Sequence, residues 1–398
     1  MTKTCTRLAA AVCLSATAGT IAIAQTKPRA RDLGVPFDGT PATLNAIRDV
    51  AGVEVGLTTI VSGDGPLKVG AGPVRTGVTA VLPRGKASND PVFAGWFSLN
   101  GNGEMTGTTW IEEAGFLEGP VFITNTHSVG VVRDAAIKWS ADRGRLFQAW
   151  SLPVVAETWD GVLNDINGFH VKPEHVFAAL DGAQAGRVAE GNVGGGTGMI
   201  CYGFKCGTGT ASRKTEARFG GYTVGVLVQA NHGARNLLRV AGAPVGQELP
   251  QTAPRAAHDT RERDAVDAIG ELGSIIIVVA TDAPLLPHQL KRLARRASLG
   301  LARTGSISSN GSGDIFIAFS TANAGAAGAA EAAQVSMMSN TRIGAIFEAT
   351  VQATEEAIVN ALVAGETMIG VDGHRVEAIS HDALGQVLRK YNRLGASR

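Results

Sequence analysis

Cysteine is scarce, charge of one sign is not in excess, and the body of the chain has no long apolar run. Only 4 of 398 residues are cysteine, and two of them, Cys5 and Cys13, fall in the first stretch. The remaining pair, Cys201 and Cys206, is too small a set for a metal site, and no histidine pair at ligand spacing stands near it. Free thiols and a bridge across a short loop both remain open, and such a bridge adds little entropic stabilisation. Lys and Arg number 36 against 35 Asp and Glu, a formal net charge of +1, so nothing argues for nucleic acid or an anionic membrane as partner. No HExxH motif occurs. Gly194-Gly195-Gly196-Thr197-Gly198 looks like a phosphate loop but lacks the Gly-Lys-Ser/Thr that should follow, so it reads as a loop lining an active site or a packed glycine turn. No metal and no cofactor is expected.

What is present is ample apolar material, 44% of residues, and 51 glycines, which indicate tight turns and close backbone approaches in a folded chain. At the start, Lys3 and Arg7 precede an Ala-rich run from Leu8 to Ala24 that closes on Ala22-Ile23-Ala24. A charged region, an apolar region and a small-x-small site predict an export leader over 1–24, removed before Gln25. The product is expected to be periplasmic or secreted.

Strands are predicted at Val53–Val61, Val74–Leu82, Val121–Ile123, Tyr222–Asn231 and Asp314–Ser320 from alternating or β-branched runs. A helix is predicted at Asp134–Trp150, and amphipathic helices at Pro284–Leu301, Thr341–Ala364 and His381–Leu394. In Pro284–Leu301, Leu290, Leu293, Ala294, Ala297 and Leu301 share one face, with Lys291, Arg292, Arg295 and Arg296 on a solvated one. Ala241–Asp267, rich in Pro, Ala and charge, is the best linker candidate. Strands and helices mix without a βαβ rhythm, which favours an α+β layered sandwich.

The informative stretch is Gly273-Ser274-Ile275-Ile276-Ile277-Val278-Val279. Five β-branched residues between Gly-Ser and Ala-Thr-Asp read as a buried strand, and a serine on its first residue is unusual for a turn serine. If the Ser274 hydroxyl attacks the Gly273 carbonyl, the chain breaks and Ser274 becomes an N-terminus whose α-amine serves as its own general base. That amine has a reference pKa of about 7.7–8.0. Glycine at 273 tolerates an unusual backbone and leaves the carbonyl open.

Ser312 and Asp314, two apart at the mouth of an extended segment, are expected to share a face and polarise Ser274. Asn231, closing a β-run, is a candidate oxyanion donor, and Glu157 a candidate partner for a substrate ammonium. Each has an ordinary alternative: a turn carboxylate, a turn asparagine, a salt bridge. Ser128, in Thr126-His127-Ser128-Val129-Gly130, is a second candidate nucleophile, since the segment departs from the α/β-hydrolase elbow by Thr in place of Gly.

These motifs, with Arg31-Asp32-Leu33-Gly34, Gly52–Gly56, Asn100-Gly101-Asn102-Gly103-Glu104 and Gly195–Arg213, resemble the L-aminopeptidase D-amidase/D-esterase and β-peptidyl aminopeptidase family across nearly all of the chain after its leader. The resemblance implies a four-layer αββα sandwich of N-terminal-nucleophile type and self-cleavage at Gly273–Ser274. It implies an α chain over 25–273, a β chain over 274–398, and assembly as a tetramer of such pairs. It matches Ser274 to the nucleophile, Ser312 and Asp314 to its polar partners, Asn231 to the oxyanion donor and Glu157 to the residue that meets the free amine. Asp314 stands where some relatives carry Glu, and Cys206 where glycine is expected. The implied substrates are small peptides, amides or esters with a free amino end, including those with β- or D-residues. An acyltransferase on the same machinery, an esterase using Ser128 and a binding protein that never matures are the alternatives.

Overall fold

The computed structural model describes residues 27–250, 273–328 and 331–394. The expected leader, and the 251–267 part of the expected linker, lie outside the described residues. The first strands form a four-stranded sheet in the order β1 (Glu54–Ser62), β2 (Val74–Leu82), β5 (Val121–Asn125), β6 (Val154–Thr158). The second sheet has six strands in the order β4 (Phe116–Leu117), β3 (Val92–Ser98), β12 (Ile315–Ser320), β11 (Ser274–Thr281), β10 (Thr223–Asn231), β9 (Thr208–Lys214). At its centre β11 runs antiparallel to β10 and parallel to β12.

Side-chain alternation sorts the strands between layers. In β11, Ile276, Val278 and Ala280 join the core between the two sheets, with Val55, Val81, Ile123 and Ala156 from the smaller sheet. Ile275, Ile277 and Val279 face the other way, into a core shared with two helices. Among helices α1 (Thr108–Ala114), α2 (Val129–Asp142), α3 (Pro173–Asp181), α4 (Val245–Glu248), α5 (Pro287–Arg303), α6 (Gly344–Val363) and α7 (His381–Lys390), α5 and α6 cover the six-stranded sheet. Helices α2 and α3 cover the four-stranded one, packing Val132, Ala136 and Leu180 on Val78, Ala80 and Phe122. The layers are therefore helix, sheet, sheet, helix, as expected. No helix among the described residues is long and apolar enough to cross a membrane.

Several expectations need correction. Helix α2 starts at Val129, not Asp134, and stops at Asp142, because Gly144, with φ +62°, turns the chain away. The basic face of α5 is not merely solvated: Arg295 lies over Phe97 at 5.0 Å, and Arg296 over Phe347 at 4.0 Å, so the arginine stems cover apolar rings. Helix α6 is not amphipathic over its second half; it is enclosed, and Glu356 and Asn360 find partners inside. The described part of the expected linker, 241–250, is packed, with Ala243 and Val245 in the core.

Candidate active site

Ser274 opens β11 in register with Asn231, the last residue of β10. It continues the series Ile276, Val278, Ala280, so its side chain projects toward the layer between the sheets, where it is 5% exposed. Its Oγ accepts a hydrogen bond from the Gly313 N–H at 3.0 Å. Gly273 has φ +113°, and a Cβ there would lie 2.0 Å from the Asn231 carbonyl oxygen and 2.9 Å from Asn231 Nδ2. Only glycine fits both the left-handed backbone and the contact. Asn231 thus sits against the Gly273–Ser274 junction, and its amide is clamped at both ends: Oδ1 accepts from Ile200 N–H at 2.9 Å, and Nδ2 donates to the Trp159 carbonyl at 2.9 Å.

The 312–314 segment reaches this junction because β12 runs parallel beside β11. Strand β12 begins at Ile315, one residue later than predicted, so Ser312 and Asp314 lie in the turn before it and the two-residue alternation does not govern them. Asp314 Oδ1 accepts the Ile275 N–H at 3.0 Å, fixing the main chain one residue past Ser274. The Ser312 hydroxyl is buried and forms no hydrogen bond among the described residues. The direct donor to Ser274 is a main-chain group, which no side-chain pattern announces.

Glu157, near the end of β6, is 3% exposed. Its carboxylate accepts from the Glu104 N–H at 3.0 Å and from the Thr126 hydroxyl. Among the described residues no salt bridge reaches it, and burial pushes its pKa up, against the opposing pull of the Thr126 and Glu104 hydrogen bonds. One loop links it to Ser274. Asn100 Oδ1 accepts the Asp314 N–H at 2.7 Å, and the Asn102 N–H donates to the Ser312 carbonyl at 3.2 Å. A Cβ on Gly103 would stand 3.0 Å from Gly313 Cα and 3.2 Å from Glu157 Oε1. Gly103 therefore separates Glu157 from the turn that donates to Ser274 by a glycine's thickness. Asn100, Gly103, Thr126, Trp159 and Gly313 went unassigned in the sequence; the dense Asn and Gly of 100–104 were the available signal.

Ser128 sits in a strand-to-helix turn, as an elbow would. Yet no histidine or carboxylate is hydrogen-bonded to its hydroxyl among the described residues, and the His127 ring stacks on Phe169 at 6.0 Å. The glycine-rich loop is a packed wedge: Gly194–Gly196 forms a buried single turn whose N–H groups of Gly194 and Gly195 donate to Thr59 and Thr79 hydroxyls. A Cβ on Gly195 would lie 2.1 Å from Gln229 Oε1. The next residues form the hairpin β7 (Ile200–Cys201) and β8 (Phe204–Lys205), closed by a Cys201–Cys206 disulfide.

The helix-sheet-sheet-helix sandwich is of the N-terminal-nucleophile hydrolase fold, and a serine stands on the first residue of its central strand. The chain is 50% identical to, and superposes with TM-score 0.84 on, a structure described as the L-aminopeptidase D-Ala-esterase/amidase from Ochrobactrum anthropi, a prototype of the serine aminopeptidases and a variant of that fold; the match covers 93% of this chain and 100% of that one. A β-aminopeptidase from Burkholderia sp. matches with TM-score 0.82 and 50% identity, over 91% of this chain and 99% of that one. A β-peptidyl aminopeptidase from Sphingosinicella microcystinivorans is 59% identical over 375 residues, 93% of this chain and 94% of the relative. The model of peptidase family S58 matches residues 45–376, and the chain belongs to that family. It is a serine aminopeptidase.

Proposed function

We propose that the protein is an exported, self-processing aminopeptidase in which Ser274 is the nucleophile. The observation that carries this is the convergence at one junction of a left-handed Gly273, the Ser274 hydroxyl and the Asn231 amide. In maturation, Ser274 Oγ attacks the Gly273 carbonyl carbon, the C–N bond breaks to an ester, and water releases the Gly273 carboxylate, leaving Ser274 with a free α-amine. In catalysis, that amine takes the hydroxyl proton as Oγ attacks the scissile carbonyl. One Asn231 N–H, the one not spent on Trp159, faces the developing oxyanion. The ammonium formed on Ser274 passes its proton to the leaving amine, and water then attacks the acyl-enzyme ester. Asp314 keeps the Ser274 backbone in place through the Ile275 N–H.

Glu157 receives the substrate's free amine, which limits the enzyme to N-terminal residues. Relatives whose names specify β-peptidyl substrates support β-amino-acyl amides and peptides as substrates. Two chains, 25–273 and 274–398, paired and associated as a tetramer, complete the proposal.

Ser274→Ala tests it. The variant should remain a single chain and lose hydrolysis of an aminoacyl anilide by roughly 10⁴-fold or more, the scale at which a nucleophile's removal is felt. The parent should yield a fragment beginning Ser-Ile-Ile-Ile on N-terminal sequencing, and Ser128→Ala should stay active. An uncut but active parent, or an active Ser274→Ala with a dead Ser128→Ala, sinks the assignment.

A further inference from the structure

Asp160 is fully buried, lies three residues beyond Glu157, and has no role in the chemistry described above. It follows Trp159, whose carbonyl holds Asn231 Nδ2. Its own carbonyl accepts the N–H groups of Leu163 and Asn164, both at 3.1 Å, which closes the turn. Its carboxylate takes Asn125 Nδ2 at 3.1 Å and Asn164 Nδ2 at 3.0 Å, and a further bond comes from the Thr76 hydroxyl. The glycine-rich loop seals it: a Cβ on Gly198 would lie 2.9 Å from Asp160 Cβ. Among the described residues no charged side chain faces it. Arg75, the cation on β2, turns its guanidinium to Asp64 and the Ile369 carbonyl, and Glu157 turns to Glu104 and Thr126.

Three side-chain donors and its own N–H, aimed at a buried carboxylate with no cation beside it among the described residues, hold the ionised form at a cost, which a simple space-filling residue would not incur. We propose that Asp160 is a positioning residue for the oxyanion amide: by tying the 159–164 turn to β2 and β5, it fixes the Trp159 carbonyl and so aims Asn231. This rests on the assignment of Asn231 as oxyanion donor. Protonated Asp160 loses acceptor capacity and gains a donor, so the three incoming donors are no longer all satisfied and the turn loosens. Burial raises its pKa to about 6, against the opposing pull of Thr76, Asn164 and Asn125, which places this event inside an accessible pH range.

The test is kcat against pH, normalised to the matured and folded fraction, with KM recorded alongside. In the parent, log kcat should fall with slope one as the Ser274 amine, whose reference pKa is about 7.7–8.0, protonates, and with slope approaching two below pH about 6 as Asp160 joins it. Asp160→Asn should lower kcat at pH 8 by about ten- to a hundredfold, part of the 10²–10³ lost with a whole oxyanion donor, with KM within about twofold. It should also keep slope one throughout. Thr76→Val, which deletes one bond to the charged form, should move the break to higher pH and serves if Asp160→Asn fails to mature. A single-slope parent, a parental kcat in Asp160→Asn, a matching rise in KM, or an unmoved break in Thr76→Val overturns the inference. If Asn231→Ala keeps its kcat, the underlying site assignment has failed; if it loses kcat while Asp160→Asn is normal, only the present inference has.

Discussion

Glu157 and Glu356 are buried in opposite electrostatic company. Glu356, on α6, has a fully buried side chain and meets Arg213 Nη2 at 2.7 Å and both Nε and Nη2 of Arg31 at 2.8 Å. Burial alone would raise its pKa, but the two guanidinium groups outweigh that and hold it below the usual carboxylate value. Glu157 is 3% exposed, accepts hydrogen bonds from a hydroxyl and a main-chain N–H among the described residues, with His127 only a lesser charge nearby, and burial pushes its pKa up. A buried carboxylate with two arginines is complete; its role is to tie α6 to β9 and to the 29–34 turn. A buried carboxylate with neutral donors beside the proposed nucleophile lacks one positive charge, which on the proposed assignment a substrate ammonium would supply. The difference separates an architectural charge from a binding one without reference to any relative.

The largest effect should come from the architectural member. Glu356→Ala leaves Arg213, itself about 1% exposed, uncompensated, and should cost about 3–5 kcal/mol of unfolding free energy, the range for breaking a buried pair. Denaturant unfolding measures it, and KM of the folded fraction should not change. A loss under about 1 kcal/mol would erase the distinction drawn here.

Asn231→Ala comes next. It should lower kcat by about 10²–10³ with a smaller change in KM, as removal of one oxyanion donor does. Because Asn231 also receives the Ile200 N–H, a thermal midpoint must accompany the kinetics. An unchanged kcat would move the oxyanion donor elsewhere.

Glu157→Gln should raise KM for a free-amine substrate by roughly ten- to a hundredfold, equivalent to about 1.5–3 kcal/mol for a charged hydrogen bond. Self-cleavage should persist, because Gly273–Ser274 is an internal bond with no such amine. The parent should ignore the N-acetylated analogue of the same anilide. Equal cleavage of both compounds would return Glu157 to a structural role.

How far the sequence alone reached follows the same division. Several strands announced themselves through alternation or β-branched runs, and β2 matches its expected limits at Val74 and Leu82, whereas β3 and β9, in glycine-dense stretches, did not. The Gly-Ser bond entering five β-branched residues located the central strand and its first residue. Helix α6 misled because its polar residues are satisfied by distant partners: Glu356 by Arg31, Asn45 and Arg213, and Asn360 by the Ala30 N–H and the Thr210 carbonyl. Long-range pairing leaves no periodic trace. In the site, Glu157 and Asn231 were visible as side chains, whereas the Gly313 N–H and Trp159 carbonyl that orient Ser274 and Asn231 are main-chain groups common to every residue.

The smallest prediction is the most direct reading of the two carboxylates, because it asks only for the sign of a slope. For Glu356 the folded pKa lies below the unfolded reference of 4.5, so its contribution is present above pH 4.5 and is lost as pH falls through the folded value. For Glu157 the folded pKa lies above 4.5, so the folded state holds the extra proton and stability falls as pH rises from 4.5 through the folded value. Replacement by Gln removes each slope. Relative to the parent, Glu356→Gln should therefore be penalised more as pH rises from acid to about 4.5, and by a constant amount above it. Glu157→Gln should gain relative stability as pH rises above 4.5. One proton contributes at most about 1.4 kcal/mol per pH unit, so the two difference curves should be shallow but opposite in sign. Denaturant midpoints across the acid range, in buffer free of substrate, measure them. Adding a non-cleavable primary amine should flatten the Glu157 curve and leave the Glu356 curve unchanged, since only the first carboxylate awaits a cation. Two curves of the same sign would mean that the carboxylates share one electrostatic condition, and the separation of architecture from binding would fall.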